Sequence, residues 1–160
     1  MGYKQGKQSP IKGVIMRKIE RFEDKRGWLS EIYRNDVNRE IRPLMCYVSY
    51  TNFNKVRGPH EHKKQSDFFI FLGPGDFELY LWDNRKNSRS HGKKMKIKAG
   101  EKNKLSILVP PGVVHGYKSI TKPGSFSINL PDALYKGRGR KGKVDEIRHE
   151  NDKDSKFRIE

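Results

Sequence analysis

The feature of this chain that most restricts its possible folds is a series of short β-patterned runs. They recur about every ten residues and are separated by Gly, Pro, Asn and Asp, a spacing typical of β-rich domains. The clearest runs cover residues 67–72, 77–82, 105–109 and 125–130. Aromatic and β-branched side chains dominate them, as expected of half-buried strands. The pattern therefore predicts an all-β sandwich or barrel.

The 160-residue chain is long enough for one domain with a sizeable core. We predict a single domain over residues 1–160, with a loose N-terminus at 1–10. Residues 36–41 are the one short helical candidate in the first half of the chain. Residues 131–160 are charged and Gly-rich, which predicts an irregular tail that wraps around the domain.

Composition limits the classes of partner. The net charge is +16, but Lys and Arg are scattered and match no nucleic-acid-binding motif, so we expect no nucleic acid partner. No stretch approaches the roughly 20 apolar residues that span a bilayer, so no membrane partner is expected. Residues 1–12 contain no apolar signal segment, and Cys46 is the only cysteine. These features favour a reducing, cytoplasmic location.

Three histidines stand in two motif-like segments, and they are the strongest candidates for chemistry. His60 and His62 are two residues apart, so a strand would place them on one face and Glu61 on the other. His115 follows a Pro-Pro-Gly turn and begins another run. Imidazole binds metals and transfers protons near neutral pH. We predict that the three rings meet at the mouth of a barrel.

This arrangement resembles the cupins. Their first motif has the same His-x-His pair, followed by a Glu where this chain has Asp67 and by a glycine that corresponds to Gly73. Their second motif, Pro-x-Gly-x-x-His, is similar to residues 110–115. The resemblance implies a double-stranded β-helix, which is a jelly-roll barrel.

Within the cupins, the chain is similar to the dTDP-4-dehydrorhamnose 3,5-epimerase family. The similarity rests on four segments in the same order as in the family: residues 22–27 with the later Glu31, residues 57–60, residues 75–85, and residues 109–117. It covers residues 15–120 well and the tail poorly.

The resemblance implies an isomerase that acts on a nucleotide-linked 4-keto-6-deoxy sugar. His60 matches the base that removes the proton beside the ketone. It also implies no cofactor, a nucleotide-diphosphate sugar as partner, and a homodimer. Residues of this chain for which we predict contacts with substrate are Arg26, Glu31, Arg57, His62, His115 and Tyr117.

The chain departs from the family at three catalytic positions. The family's tyrosine falls near Ile128 or Asn129, so Tyr117 and Tyr135 are the candidates to replace it. The family's lysine falls near Asp67 or Phe68, with Lys63 and Lys64 nearby in sequence. A family Asp pairs with the base, and here its candidates are Asp145, Asp152 and Asp67. We therefore predict His60, Tyr135 and Asp152 as the catalytic set.

Two other functions stay open. Metal-dependent cupin chemistry is one of them, because imidazole and carboxylate are common ligands of Zn, Fe and Mn. The ligands of that divalent ion would be His60, His62, Asp67 and His115. A non-catalytic cupin that binds a nucleotide sugar is the other, and the missing tyrosine and terminal Asp favour it.

Overall fold

The computed structural model describes residues 9–160, and strands dominate them. The strands are β1 (Ile15–Lys18), β2 (Phe22–Asp24), β3 (Gly27–Leu29), β4 (Tyr47–Asn52), β5 (Val56–Glu61), β6 (Asp67–Phe71), β7 (Asp76–Asp83), β8 (Lys94–Gly100), β9 (Leu105–Val109), β10 (Val113–Ser119), β11 (Gly124–Asn129) and β12 (Ile147–Arg148). Two short 3-10 segments, Arg138–Arg140 and His149–Asn151, complete the regular structure of these residues.

Two antiparallel five-stranded sheets form the body of the fold. Sheet I has the strand order β1-β9-β6-β11-β4, and sheet II has the order β12-β5-β10-β7-β8. Strands β2 and β3 form a separate hairpin. Strands distant in sequence are neighbours in both sheets, as in a jelly roll. The predicted all-β jelly-roll class is confirmed.

The main core lies between the two sheets. Phe69, Phe71 and Ile107 of sheet I pack there against Phe77 and Val113 of sheet II. Each large side chain removed from water contributes about 2 kcal/mol of stabilisation. Because the inward-facing residues of both sheets interdigitate, the sheets are held face to face with one end left for polar groups.

A second apolar cluster explains why the run at 67–72 shows little alternation. Phe68 and Ile70 point to the outer side of sheet I, where they pack with Ile19, Ile41 and Leu130. Strand β6 is therefore buried on both faces along its whole length. A strand covered on both faces reads as a continuous apolar run rather than an alternating one.

The helix predicted at residues 36–41 is absent, and turns occupy that segment. The Arg34 carbonyl accepts the N–H groups of Val37 and Asn38, which closes one turn. The buried Asn38 side chain then accepts the Arg34 N–H at 3.0 Å. An Asn side chain that binds nearby backbone competes with helix propagation, so the helix prediction was wrong.

The two ends of the chain were predicted to be a loose segment and a wrapping tail. Of the predicted loose segment 1–10, residues 1–8 lie outside the described residues. In the tail, β12 pairs with the edge of β5, and Phe157 packs on Trp82 and Val114 across the outer side of sheet II. The tail therefore lies against the sheet that carries two of the histidines.

The segment at residues 82–88, one part of the family resemblance, has a structural explanation. The buried Asp83 carboxylate accepts hydrogen bonds from the Arg85 guanidinium at 2.8 and 2.9 Å and from Ser88 and Ser90 hydroxyls at 2.6 Å each. These bonds order the loop between β7 and β8.

None of the helical segments in residues 9–160 has the length and apolar character that crossing a bilayer requires.

Candidate active site

Three imidazole rings meet at one end of the space between the sheets. His60 of β5 and His115 of β10 are direct partners in sheet II, and their ring centroids are 4.6 Å apart. The His62 ring lies 5.6 Å from His60 and 5.9 Å from His115. Glu61 points to the other side of β5, where it accepts a hydrogen bond from Asn84 and contacts His149. The structure thus brings together the three predicted histidines.

Asp67 of sheet I lies against these rings, and its side chain is only 2% exposed. Its Oδ2 is 3.0 Å from His62 Nε2 and 3.1 Å from His115 Nε2. Its Oδ1 accepts hydrogen bonds from the side-chain amides of Gln65 at 2.9 Å and Asn129 at 2.8 Å. A buried carboxylate needs such partners to remain ionised. Asp67 therefore links the two sheets electrostatically.

Backbone carbonyls orient the two rings that face Asp67. His115 Nδ1 donates to the Val113 carbonyl at 2.9 Å, and His62 Nδ1 donates to the Asp145 carbonyl. Each Nε2 is therefore turned toward the carboxylate. Both contacts with Asp67 are at ion-pair distance, and His62 Nε2 also lies 3.2 Å from the side-chain amide nitrogen of Gln65.

The charges of this cluster depend on burial and on Asp67. Burial opposes the charged form of His62, but the hydrogen bond and charge of Asp67 outweigh it and raise the pKa of His62 to about 9. Burial also disfavours ionised Asp67, yet its contacts with His115 and His62 lower the pKa of that carboxyl well below its usual range. The pair is therefore ionised near neutral pH.

The pKa of His60 is shifted in the direction opposite to that of His62. Burial, with the neighbouring His115 and His62, lowers the pKa of His60 below its usual value, so its ring is neutral and keeps a free electron pair. Its Nδ1 lies 3.7 Å from the Glu146 carboxylate, which Arg148 holds at 2.7 Å. Sequence reasoning missed Glu146, because only the pairing of β12 with β5 brings this part of the tail beside His60.

A bulge in β5 aligns Arg57 with His60. The partners of His115 and Tyr117 on β10 are His60 and Arg57, so three residues of β5 span the length of two on β10. The extra residue places Arg57 and His60 on the same face. Gly58 allows this with a φ of +79°, and a Cβ there would lie 2.7 Å from the His115 carbonyl oxygen. Arg57 is exposed and donates to Thr51 and to the Tyr50 carbonyl.

Two tyrosines reach this end of the barrel from different depths. Tyr117 is in the core against Phe69, Phe71 and Phe77, its hydroxyl accepts from Ser127, and burial raises its pKa. Tyr47 of β4 is nearer the surface, and its hydroxyl accepts a hydrogen bond from Asn129. Sequence reasoning did not select Tyr47, because it belongs to none of the motif-like segments.

Four other predicted site residues lie outside the histidine cluster. Tyr135 is exposed beside Met45, and Asp152 is an exposed tail residue whose carboxylate accepts the Asp154 N–H. Arg26 is on the β2–β3 hairpin and pairs with Asp24. Glu31 pairs with Arg34. Arg26 and Glu31 do share one shallow cavity of about 300 Å³ with Phe22 and Leu29.

The two lysines near the first histidine pair are exposed on the turn after β5. The backbone N–H groups of Lys63, Lys64 and Gln65 all donate to the Asp145 carboxylate, at 3.0, 2.8 and 2.9 Å. Asp145 therefore anchors the tail to this turn, and its nearest partners are backbone groups rather than His60. This contact also positions the Asp145 carbonyl that binds His62.

The same four side chains fit a divalent metal ion. One ligand atom from each of His60, His62, Asp67 and His115 lies within 4.8 Å of the others. The Nε2–Oδ2 separations of 3.0 and 3.1 Å match neighbouring ligands of a metal with bonds of about 2.1 Å. Carbonyl acceptors on Nδ1 of His62 and His115 are typical of metal-binding histidines.

Comparison with known proteins gives a consistent result. The family model described as dTDP-4-dehydrorhamnose 3,5-epimerase matches residues 8–146. The chain is 35% identical over 127 residues to the probable low-salt glycan biosynthesis epimerase Agl13 of Haloferax volcanii, covering 78% of this chain and 81% of the relative. It is 31% identical over 113 residues to the spore coat polysaccharide biosynthesis protein SpsL of Bacillus subtilis, covering 68% and 71%.

A solved structure supports the same relationship. The dTDP-4-dehydrorhamnose 3,5-epimerase of Sulfolobus tokodaii superposes with a TM-score of 0.71 at 26% identity, covering 82% of this chain and 75% of that one.

Proposed function

Since the chain belongs to the dTDP-4-dehydrorhamnose 3,5-epimerase family, we propose that it epimerises a nucleotide-linked 4-keto-6-deoxy sugar. The observation that carries this proposal is the position of His60, which is the partner of His115 of β10 and shares one face of β5 with Arg57. A proton beside a ketone is weakly acidic and needs a positioned base. His60 is that base.

The residues around His60 support this chemistry. Nδ1 of His60 faces Glu146, which leaves Nε2 to take the substrate proton. As the ring becomes positively charged, the Glu146 carboxylate stabilises it. Arg57, on the same face as His60, offers a planar guanidinium suited to a diphosphate. His115 lines the wall beside His60, and no cofactor is required for these steps.

Solvent exchange tests the function directly. The protein is incubated with a dTDP-4-keto-6-deoxy sugar in deuterated water, and the two carbons beside the ketone are followed by NMR. We expect deuterium at one or both carbons, with inverted configuration. Tight binding of the nucleotide sugar by the folded protein, without exchange, would instead identify a non-catalytic binding protein and contradict the proposal.

Glu146 gives a second prediction. Glu146→Gln keeps the shape of the side chain but removes the charge that stabilises protonated His60. We expect kcat to fall about 10- to 100-fold, at and below the lower end of a general-base effect because Glu146 acts through His60, with KM nearly unchanged. Glu150→Gln is the matched control, because Glu150 is in the same tail and also pairs with Arg148. Equal kcat values for the two variants would exclude the role assigned to Glu146.

A divalent metal is the second candidate, and the fit of the four ligand atoms favours it. His60, His62, Asp67 and His115 would hold the ion, which would supply Lewis-acid chemistry when bound. Elemental analysis of protein purified without added metal discriminates the two mechanisms. Stoichiometric metal, with exchange activity lost to a chelator and restored by the ion, would replace the cofactor-free mechanism.

We further propose a homodimer. The edge strand β4 ends sheet I, and the outer faces of β4 and β11 expose Val48, Tyr50 and Phe126. The β2–β3 hairpin exposes Trp28 and Leu29 as well. A second copy related by a two-fold axis would cover such a face. Sedimentation velocity should give twice the chain mass, and Val48→Asp should shift the protein to monomer; a wild-type monomer would contradict the dimer.

Arg26 and Glu31 share a cavity away from His60, so we assign them to the nucleotide end of the substrate, with Arg26 reaching the site of the second copy.

The cytoplasm is the proposed location, because the lone Cys46 can form no disulfide within the chain and suits a reducing compartment.

A further inference from the structure

Inversion of a carbon needs an acid on the side of the sugar opposite the base, and the family's tyrosine position is occupied here by residues that cannot serve. At that position on β11 the chain has Ile128 and Asn129. The Cα partner of Asn129 on the neighbouring strand β4 is Tyr47. A phenol is therefore present one strand away from the place where the family resemblance leads one to look for it.

Hydrogen bonds join Tyr47 to the histidine cluster through one amide. Asn129 Oδ1 accepts the backbone N–H of Phe68 at 3.0 Å, which defines the orientation of the amide. Its Nδ2 consequently faces the cluster and donates to the Tyr47 hydroxyl at 2.9 Å and to Asp67 Oδ1 at 2.8 Å. Tyr47 is thus connected by a single buried side chain to the carboxylate that contacts His62 and His115.

The direction of this hydrogen bond matters for proton transfer. Because the Tyr47 oxygen accepts from Asn129, its own hydrogen is not used in that contact and can be given to another group. A donor on the phenol oxygen also stabilises the phenolate that forms when the proton leaves. Burial, opposed by the Asn129 bond and aided by Asp67, raises the pKa of Tyr47 to about 12, which keeps the phenol protonated.

The two sheets place Tyr47 and His60 on opposite walls. Tyr47 is on sheet I, whereas His60 and His115 are on sheet II. Tyr47 has the strand parity of Thr51, which is buried between the sheets, so its side chain belongs to the inner face of β4. A sugar ring held between the walls would have His60 on one face and Tyr47 on the other.

We propose that Tyr47 is the acid that completes epimerisation; this assignment rests on the proposed function. His60 takes the proton from the carbon beside the ketone, and the C–H electrons form the enolate. Tyr47 then gives its O–H proton to that carbon from the opposite face. The enolate electrons form the new C–H bond and the ketone is restored. Protonated His60 then gives its proton to water and the tyrosinate regains one, which returns both residues to their starting states.

The test is Tyr47→Phe, which removes only the hydroxyl. Its matched control is Tyr33→Phe, since the Tyr33 ring packs against Phe68 on the outer side of sheet I. Both variants are incubated with a dTDP-4-keto-6-deoxy sugar in deuterated water. NMR then measures deuterium in recovered substrate of original configuration separately from inverted product, and thermal unfolding confirms that both variants fold.

For Tyr47→Phe we expect inverted product to fall at least about 100-fold, the size of a general-acid effect, while deuterium still enters substrate of unchanged configuration. Tyr33→Phe should behave as wild type. Inversion by Tyr47→Phe at the control rate, or parallel loss of exchange and inversion, would overturn the assignment. Absence of exchange in the wild type would instead overturn the proposed function, and this assignment with it.

Discussion

His60→Asn should abolish both solvent exchange and epimerisation while leaving the fold intact. Asn is similar in size and polar, but it has no basic nitrogen, so no group remains to remove the proton beside the ketone. We expect a loss of about 10³-fold in kcat, within the range of general-base catalysis. This loss is measured by NMR as the rate of deuterium incorporation into a dTDP-4-keto-6-deoxy sugar.

His91→Asn is the matched control for this substitution. His91 is an exposed histidine on the loop between β7 and β8, far along the chain from the cluster. It should retain wild-type exchange. The base assignment would be wrong if His60→Asn, folded by circular dichroism, exchanged the substrate proton at the rate of His91→Asn. Loss of exchange in His60→Asn with retained inhibitor-like binding of dTDP would agree with it.

Asp67→Asn should cause the largest loss of stability among single substitutions at the site. Asp67 accepts from Gln65 and Asn129 and faces the Nε2 atoms of His62 and His115. An amide at this position turns an NH₂ group toward existing donors and leaves the charge of His62 unpaired. Breaking a buried ion pair in this way costs about 3–5 kcal/mol in the free energy of unfolding.

Urea denaturation measures this effect, and Asp24→Asn provides the comparison. Asp24 pairs with Arg26 on the exposed hairpin, where an ion pair is worth less than about 1 kcal/mol. If Asp67→Asn unfolded at the same urea concentration as Asp24→Asn, Asp67 would not be the electrostatic link between the sheets. An unchanged m-value would show that the two variants unfold from equally compact states.

The strand pattern was predictable because each strand carries its own local signal. The run predicted at 105–109 coincides with β9, and the run at 125–130 differs by one residue at each end from β11. The helix prediction for residues 36–41 failed because the helical composition of that segment was outweighed by one local contact, the hydrogen bond between the Asn38 side chain and the Arg34 backbone. Such a contact between side chain and backbone is not visible in composition.

The candidate site likewise contains residues that the sequence could indicate and residues that only the structure could reveal. His60, His62 and His115 could be selected from sequence because their spacing is short-range and matches known motifs. Glu146 and Tyr47 could not, because their roles come from pairing between strands distant in the chain, β12 with β5 and β4 with β11. Tyr135 and Asp152 were selected as replacements for the family's tyrosine and aspartate, and the structure leaves both on the surface.

The sequence by itself determined the all-β class, the family resemblance and the choice of the three histidines, since periodicity and motif spacing are properties of neighbouring residues. Only the tertiary structure decided that the Glu146 carboxylate lies beside His60 and that the Tyr47 phenol is on the opposite sheet. Those partners meet through β-sheet register, and register depends on the packing of the whole core rather than on any local segment.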